Sequence, residues 1–274
     1  MTHAAEILVV DRFASLRTEL LELLASLEDT EWTAAATPRW SVKDVTAHLL
    51  GGDVGILSRE RDAHRLPAAI VTYEQLVQHV NRLNEEWVVA ARRMSVRVLR
   101  EWLAYVGPLV DAYFSSLDPH AMGGAVSWAG PDPAPVWFDI AREFTERWHH
   151  QQQIRDATGR PPLYDPYFLA PVLATFVRAL PHSLRDTMAP HGTVIQLEIP
   201  GQAGGVWCVQ RTERDWRFVP PSTLPPATTV ELAPDVAWRV FTKGLSRDEA
   251  HARAVIRGEM RLAAPVLATT AVIG

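Results

Sequence analysis

Two short stretches about a hundred residues apart constrain this chain more tightly than anything else in it: Trp40-Ser41-Val42-Lys43-Asp44-Val45-Thr46-Ala47-His48 and Glu146-Arg147-Trp148-His149-His150. In the first, Ser41 and Asp44 have the spacing of a capping box, and Trp40 just outside it can pack on Val45 as a hydrophobic staple, so a helix starts at Val42. At about 100° per residue, Val42, Val45, Leu49 and Ile56 gather on one side of that helix, with His48 on the edge of the stripe. In the second, the four-residue spacing of Glu146 and His150 sets both side chains on one helix face, one turn apart. The same wheel gathers Trp137, Ile140, Phe144, Trp148 and Ile154 into an apolar arc. Glu143 and His150 border it, Glu146 lies a little further round, and His149 falls on the far side.

Two imidazoles and one carboxylate suit Zn²⁺ with one coordination position left open, which is the arrangement of a catalytic rather than a structural zinc site. The candidate metal ligands are therefore His48, Glu146 and His150. Glu143 is the alternative carboxylate, and His149 is expected to be solvated or to sit behind the ligands. Each stretch alone has a plainer explanation. Neutral imidazole is tolerated at half-buried positions, and Glu-x-x-x-His recurs on solvated helix faces.

The rest of the chain reads as two parts. Ala4 to Leu27 has the apolar stripe of a first helix (Leu8, Leu16, Leu20, Leu23, Leu27). Gly51-Gly52-Asp53 has no strand before it, so it is no phosphate loop; it reads as the frayed end of the second helix, with lining of the site as the alternative. Past a connection around Pro67, Glu74 to Met94 and on through Leu117 forms a third helical region with an expected break near Gly107-Pro108. Gly123 to Pro135 reads as a loop, with Trp128 a candidate to overhang the metal. Val136 to Thr158 is the fourth helix, stopped by Gly159 and Pro161-Pro162. Four long helices with inward Glu and His are the architecture of bundle metal centres. Beyond them, Pro166 to Met188 reads as a linking helix. Alternation at Ile195, Leu197 and Ile199 opens a run of strands continued by Val206 to Gln210, Trp216 to Val219 and Thr228 to Leu232. Helices over Asp235 to Lys243, Asp248 to Ile256 and Met260 to Thr270 close the chain. The expectation is an α + α/β two-domain chain: a metal-binding helix bundle over 1–162, a linking helix over 163–190 and a small α+β domain over 191–274.

Composition narrows the function classes. The chain has 274 residues, 47% of them hydrophobic, enough for a substantial core in about two domains. Its net charge of −5, with arginines and acids interspersed, offers nucleic acid no basic patch. No run of about 20 apolar residues occurs and Met1 to Val10 lacks a secretory pattern, so a cytoplasmic protein without a membrane partner is expected. Cys208 is the lone cysteine, in a strand-like setting that suits a buried spectator, so any thiol chemistry needs a thiol from outside the chain. Lys43 and Lys243 are the only lysines among 27 basic residues, a skew that points to a high-GC genome.

At these residues the chain resembles the mycothiol-dependent maleylpyruvate isomerase family of the DinB-like (YfiT-like) superfamily. Trp40 to His48 matches, position by position, the Trp-Ser/Thr-Val-x-Asp-x-x-x-His segment that opens the family's second bundle helix. Glu146, His150 and Ala157-Thr158-Gly159 match its fourth helix, while Gln153 stands where an acid often stands. The resemblance implies a DinB-like four-helix bundle with His48, Glu146 and His150 as metal ligands. It also implies a sterol-carrier-like C-terminal domain, here carried by one Trp-Arg-Val-Phe helix (Trp238 to Phe241) and the Gly258 turn. High-GC actinobacteria are the organisms that make mycothiol.

An ordinary thiol has a pKa near 8.5 and is mostly protonated at neutral pH, whereas a zinc-bound thiol is deprotonated outright. In the family's named reaction, mycothiol thiolate adds to the cis double bond of maleylpyruvate, rotation follows, and elimination gives the trans isomer. The resemblance therefore implies a zinc- and mycothiol-dependent isomerase or S-transferase with a metal-bound thiolate as nucleophile, acting on an electrophilic or unsaturated acid. Arginines such as Arg239 are candidates for holding its carboxylate. A non-catalytic metal- or ligand-binding member of the same fold is the alternative, motivated by Gln153, and a zinc-water hydrolase is a third. Monomer and dimer are both compatible with the sequence.

Overall fold

The computed structural model describes residues 5–67, 70, 72–221 and 225–272, which fall into two compact units. Among the described residues, one unit comprises Leu8–Pro119 and Glu143–Leu163; the other comprises 5–7, His120–Arg142 and Tyr164–Val272.

The first unit is helical. Its α1 spans Phe13–Ala25 after a 3-10 turn at Val10–Arg12 and buries Phe13, Leu16, Leu20, Leu23 and Leu24. The helix starts later than its leucine stripe suggested. Ala4 lies outside the described residues, and around the exposed Leu8 the chain is not helical, with Ile7 and Val9 buried instead in the alternating pattern of an extended segment.

Helix α2 spans Val42–Ile56 and opens on the expected capping box: the Ser41 hydroxyl accepts from the Asp44 backbone N–H, and the Asp44 carboxylate accepts from the Ser41 N–H. Gly51 and Gly52 lie inside this helix rather than at a frayed end. The reason is tertiary: the Trp87 indole, whose Nε1 donates to Ala47 O at 2.8 Å, lies against Gly51, where no side chain is in its way.

The third helical region is two helices, α3 over Tyr73–Ala91 and α4 over Val96–Ser116. The break falls at 92–95, where the Ser95 hydroxyl caps Val98 N–H, and not at Gly107-Pro108. A helical proline forfeits one backbone hydrogen bond, but Leu103, Val106, Val110 and Phe114 are buried on both sides of Pro108 and hold α4 together. Helix α2 packs on both α3 and α4, and α4 also packs on α1. Helix α5, Val136–Ala157, completes the set and ends at Gly159 in the left-handed region (φ 62°). Trp148, with no exposed surface, donates its indole N–H to Leu163 O at 3.0 Å.

The second unit is mixed. Strands β1 (Met122–Ala125) and β2 (Pro133–Pro135) pair antiparallel within the segment expected as a bare loop. Trp128 between them is buried and packs edge-on against Phe138 at 5.5 Å. The expected linking helix is broken into α6 (Pro166–Val177) and α7 (Leu180–Ser183), with Pro181 at the start of the second. A five-stranded sheet follows, with β3 (Val194–Ile199), β4 (Gly205–Arg211), β5 (Trp216–Val219) and β6 (Thr228–Glu231) where strands were expected. Helices α8 (Pro234–Phe241) and α9 (Arg247–Arg253) precede β7 (Val255–Gly258), and α10 is Met260–Leu267. The sheet order is β5-β4-β3-β6-β7, with β3 and β6 parallel and the other neighbours antiparallel. Strand β7 was expected as the end of a helix; its β-branched Val255 and Ile256 pair with Glu231 and Val230 instead. Cys208 is buried in β4, its thiol near Gln196 Oε1 at 3.4 Å. No helix among the described residues is long and apolar enough to cross a membrane.

Candidate metal centre

The helical unit brings His48 of α2 to Glu146 and His150 of α5. His48 Nε2 lies 3.0 Å and His150 Nε2 2.9 Å from the same oxygen, Glu146 Oε1. The two imidazole rings meet edge to face with centroids 4.6 Å apart. One ligand atom from each residue fits within a 4.8 Å span, and this is the group of its kind found among the described residues. The side chains of His48 and His150 each keep 10% of their surface, whereas that of Glu146 keeps 36%, so the cluster has a buried back and a more accessible front.

The back of the cluster is hydrogen-bonded. Gln153 Oε1 lies 2.7 Å from His150 Nδ1 and accepts its proton in a hydrogen bond, which fixes the ring with Nε2 turned toward Glu146. The Trp40 ring lies against His48 (centroids 4.9 Å, 35° between planes), and its Nε1 donates to Glu85 Oε2 at 3.1 Å. Arg92 forms a two-pronged pair with Asp44 at 2.9 and 3.2 Å, tying the first turn of α2 to the end of α3. Sequence spacing carries no signal for Glu85 or Arg92, because their partners lie more than 40 residues away.

Glu143 faces elsewhere. Its carboxylate pairs with Arg147 at 2.8 Å, and Arg147 also reaches Asp53 at 2.5 Å. His149 is buried at 7% exposure, so of the two positions expected for it the solvated one is not observed, and its ring lies 5.1 Å from that of His150. A far side of α5 open to water does not exist at this level, since Thr145, Trp148, Gln151 and Gln152 are buried as well.

Electrostatics follow from the geometry. Burial pushes the Glu146 carboxyl up, but the charge and hydrogen bond of His150 and the hydrogen bond of His48 outweigh it and hold the group well below the usual carboxylate range. His48 is pushed down, first by burial and then by the charge of His150. Burial acts downward on His150 as well, but Glu146 and Gln153 raise it. An anion held between two imidazoles, one of them kept neutral, is a donor set of nitrogen and oxygen that suits zinc and similar divalent ions.

Comparison with known proteins gives the family and the fold. The profile for the mycothiol maleylpyruvate isomerase N-terminal domain matches residues 13–155. The chain is also similar to the crystal structure of the mycothiol-dependent maleylpyruvate isomerase, at 10% identity and a TM-score of 0.53, and to that of a histidine-to-alanine mutant of it, at 9% and 0.52. Each similarity covers 84% of this chain and 86% of the other, and at such identities it shows a shared two-part fold, helical first and strand-rich second. No curated protein sequence matches the chain.

Proposed function

This chain belongs to the mycothiol maleylpyruvate isomerase family, and from that premise we propose that it is a metal- and thiol-dependent isomerase or S-transferase. The observation that carries the reading is the convergence of His48 Nε2 and His150 Nε2 on one oxygen of Glu146. A divalent ion, zinc by the chemistry of the donors, fits these three residues, and when bound it supplies the Lewis acidity that lowers the pKa of a coordinated thiol. The chain does the positioning. Gln153 fixes the His150 ring with Nε2 toward Glu146, and Trp40 and Glu85 back His48. The exposed side of Glu146 leaves the front open to a small thiol and an electrophilic or cis-unsaturated acid. The thiol is external to the chain, because Cys208 is buried and burial, with the nearby Glu198 charge, raises its pKa. Mycothiol is the thiol proposed, and the cytoplasm is the compartment.

The test is a titration of purified, zinc-loaded protein with mycothiol in weakly buffered solution at pH 7. The expected result is release of about one proton per site, because the unbound thiol is mostly protonated. Neither metal nor proton release is expected for His48→Ala. Metal binding without proton release would favour a non-catalytic metal-binding member of the fold, and turnover of substrate without thiol would favour a hydrolase.

A further inference from the structure

Helix α4 carries two apolar seams. Leu99, Leu103, Val106, Val110 and Phe114 are buried in the helical unit. Beside them run Val98, Trp102, Tyr105, Leu109 and Ala112, at intervals of four, three, four and three residues, the spacing at which one helix packs along another. This second seam faces outward: Trp102 keeps 52% of its surface, Tyr105 72% and Leu109 39%, and Ala112 is exposed as well. Single apolar side chains on a surface are ordinary, but a continuous row of them marks an interaction site.

The two halves of the seam differ in size and sign. The first half holds the bulky Trp102 and Tyr105, and the second the smaller Leu109, Ala112 and Ser116. Arg93, Arg97 and Arg100 lie toward the start, with Glu101 as the one acid among them, and Asp111 and Asp118 lie toward the end. That order opposes the helix dipole, which favours acids in the first turn and bases in the last; α4 has neither. An antiparallel neighbour of the same sequence answers both differences. Centred on Gly107, such a pair overlaps the helix from end to end and sets Trp102 against the partner's Ala112 and Tyr105 against the partner's Leu109. It also brings the Arg97–Glu101 ion pair level with the partner's Asp118 and the partner's Ser115. When each half of one surface complements the other half, a two-fold contact between identical chains satisfies both, as an isologous interface requires. We propose that α4 is a dimerisation helix, which pairs antiparallel with α4 of a second copy of this chain. A fully buried Trp or Tyr contributes about 150–250 Å², so the exposed fractions of Trp102 and Tyr105 offer about 250 Å² together. With the rest of the seam and its edges the contact comes to about 1,000 Å² over both copies, the low end for a specific interface, and its Kd is of micromolar order. The dimer does not depend on the metal or on the proposed reaction.

Analytical ultracentrifugation of the full-length protein over about 1–500 µM, the range that a micromolar Kd calls for, tests it. The expected result is a mean mass that rises with concentration from 30.5 kDa toward twice that value. Tyr105→Glu should weaken association at least about 100-fold, because the variant dimer buries two new charges at its centre. Its far-UV circular dichroism and Tm at the lowest concentration should match the wild type's, since Tyr105 is 72% exposed in the protomer. Leu109→Glu is the second variant and should act in the same direction. Nitroxides on Ser115→Cys in a Cys208→Ser background report the direction of pairing. Antiparallel helices separate the two labels by about 24 Å along the axis, at about 1.5 Å per residue, whereas parallel helices hold them at one level. A monomer at every concentration would overturn the proposal and leave the seam to a helix of another protein. A dimer that survives both substitutions, or labels held at one level, would overturn it by placing the contact on another face or in the parallel sense.

Discussion

The neighbouring glycines of α2 offer a sharp check on how the helical unit is packed. A β-carbon added at Gly51 would lie 2.4 Å from Cδ1 and 2.5 Å from Nε1 of Trp87, whereas one added at Gly52 would meet nothing within 4 Å. Replacing a helical glycine by alanine gains about 0.5–1 kcal/mol from backbone entropy at either position. At Gly52 that gain stands alone. At Gly51 the indole must move, at an overpacking cost of about 1–3 kcal/mol. Its hydrogen bond to Ala47 O is stretched or lost for about another 1 kcal/mol. Gly51→Ala should therefore destabilise by about 1–3 kcal/mol and Gly52→Ala should stabilise by about 0.5–1 kcal/mol. At about 2–4 °C of Tm per kcal/mol for a domain of this size, the two variants separate by several degrees in thermal melts followed by far-UV circular dichroism. Equal melting temperatures, or Gly51→Ala the more stable, would refute the packing of α3 on α2 described above.

Two further outcomes are expected. Gln153→Leu removes the acceptor that holds His150 Nδ1–H and should weaken divalent-metal binding by about 10–100-fold in chelator competition, while Gln153→Glu should bind at least as tightly. An unchanged affinity in the leucine variant would mean that something else orients His150. For Asp44, burial acts upward on the carboxyl, but the hydrogen bonds from Arg92 and Ser41 and the charge of Arg92 outweigh it and hold the group below its ordinary 3.8. A folded-state pKa below the unfolded one gives stability that is complete above the unfolded value and lost as pH falls through the folded one. Asp44→Asn should therefore cost about 1–3 kcal/mol at neutral pH and flatten the acid limb of a Tm-against-pH curve below pH 3.8; a limb as steep as the wild type's would count against the pairing.

The parts of this structure that were legible from sequence are those set by local geometry. The start of α2 is written in Ser41 and Asp44, three residues apart, and the meeting of Glu146 with His150 follows from one helical turn. The stop of α5 is written in Gly159. What was not legible depends on partners distant in the chain. Pro108 marks a break by any local rule, yet the chain breaks at Ser95 because buried residues flank the proline. His149 falls on the nominally polar side of its wheel, but α5 is covered on that side too. Val255 and Ile256 follow a helical stretch and become a strand only because β6 offers them an edge. The backing of the site by Glu85 and Arg92 belongs to the same class, since α3 meets α2 only once the chain has folded.

Helix α5 carries its first two turns in one compact unit and the remainder in the other. Neither unit is then a single stretch of gene. A crossover at any one point between residues 8 and 272 leaves at least one of them incomplete. Truncation of the chain at any one such point therefore removes part of a unit rather than a whole one.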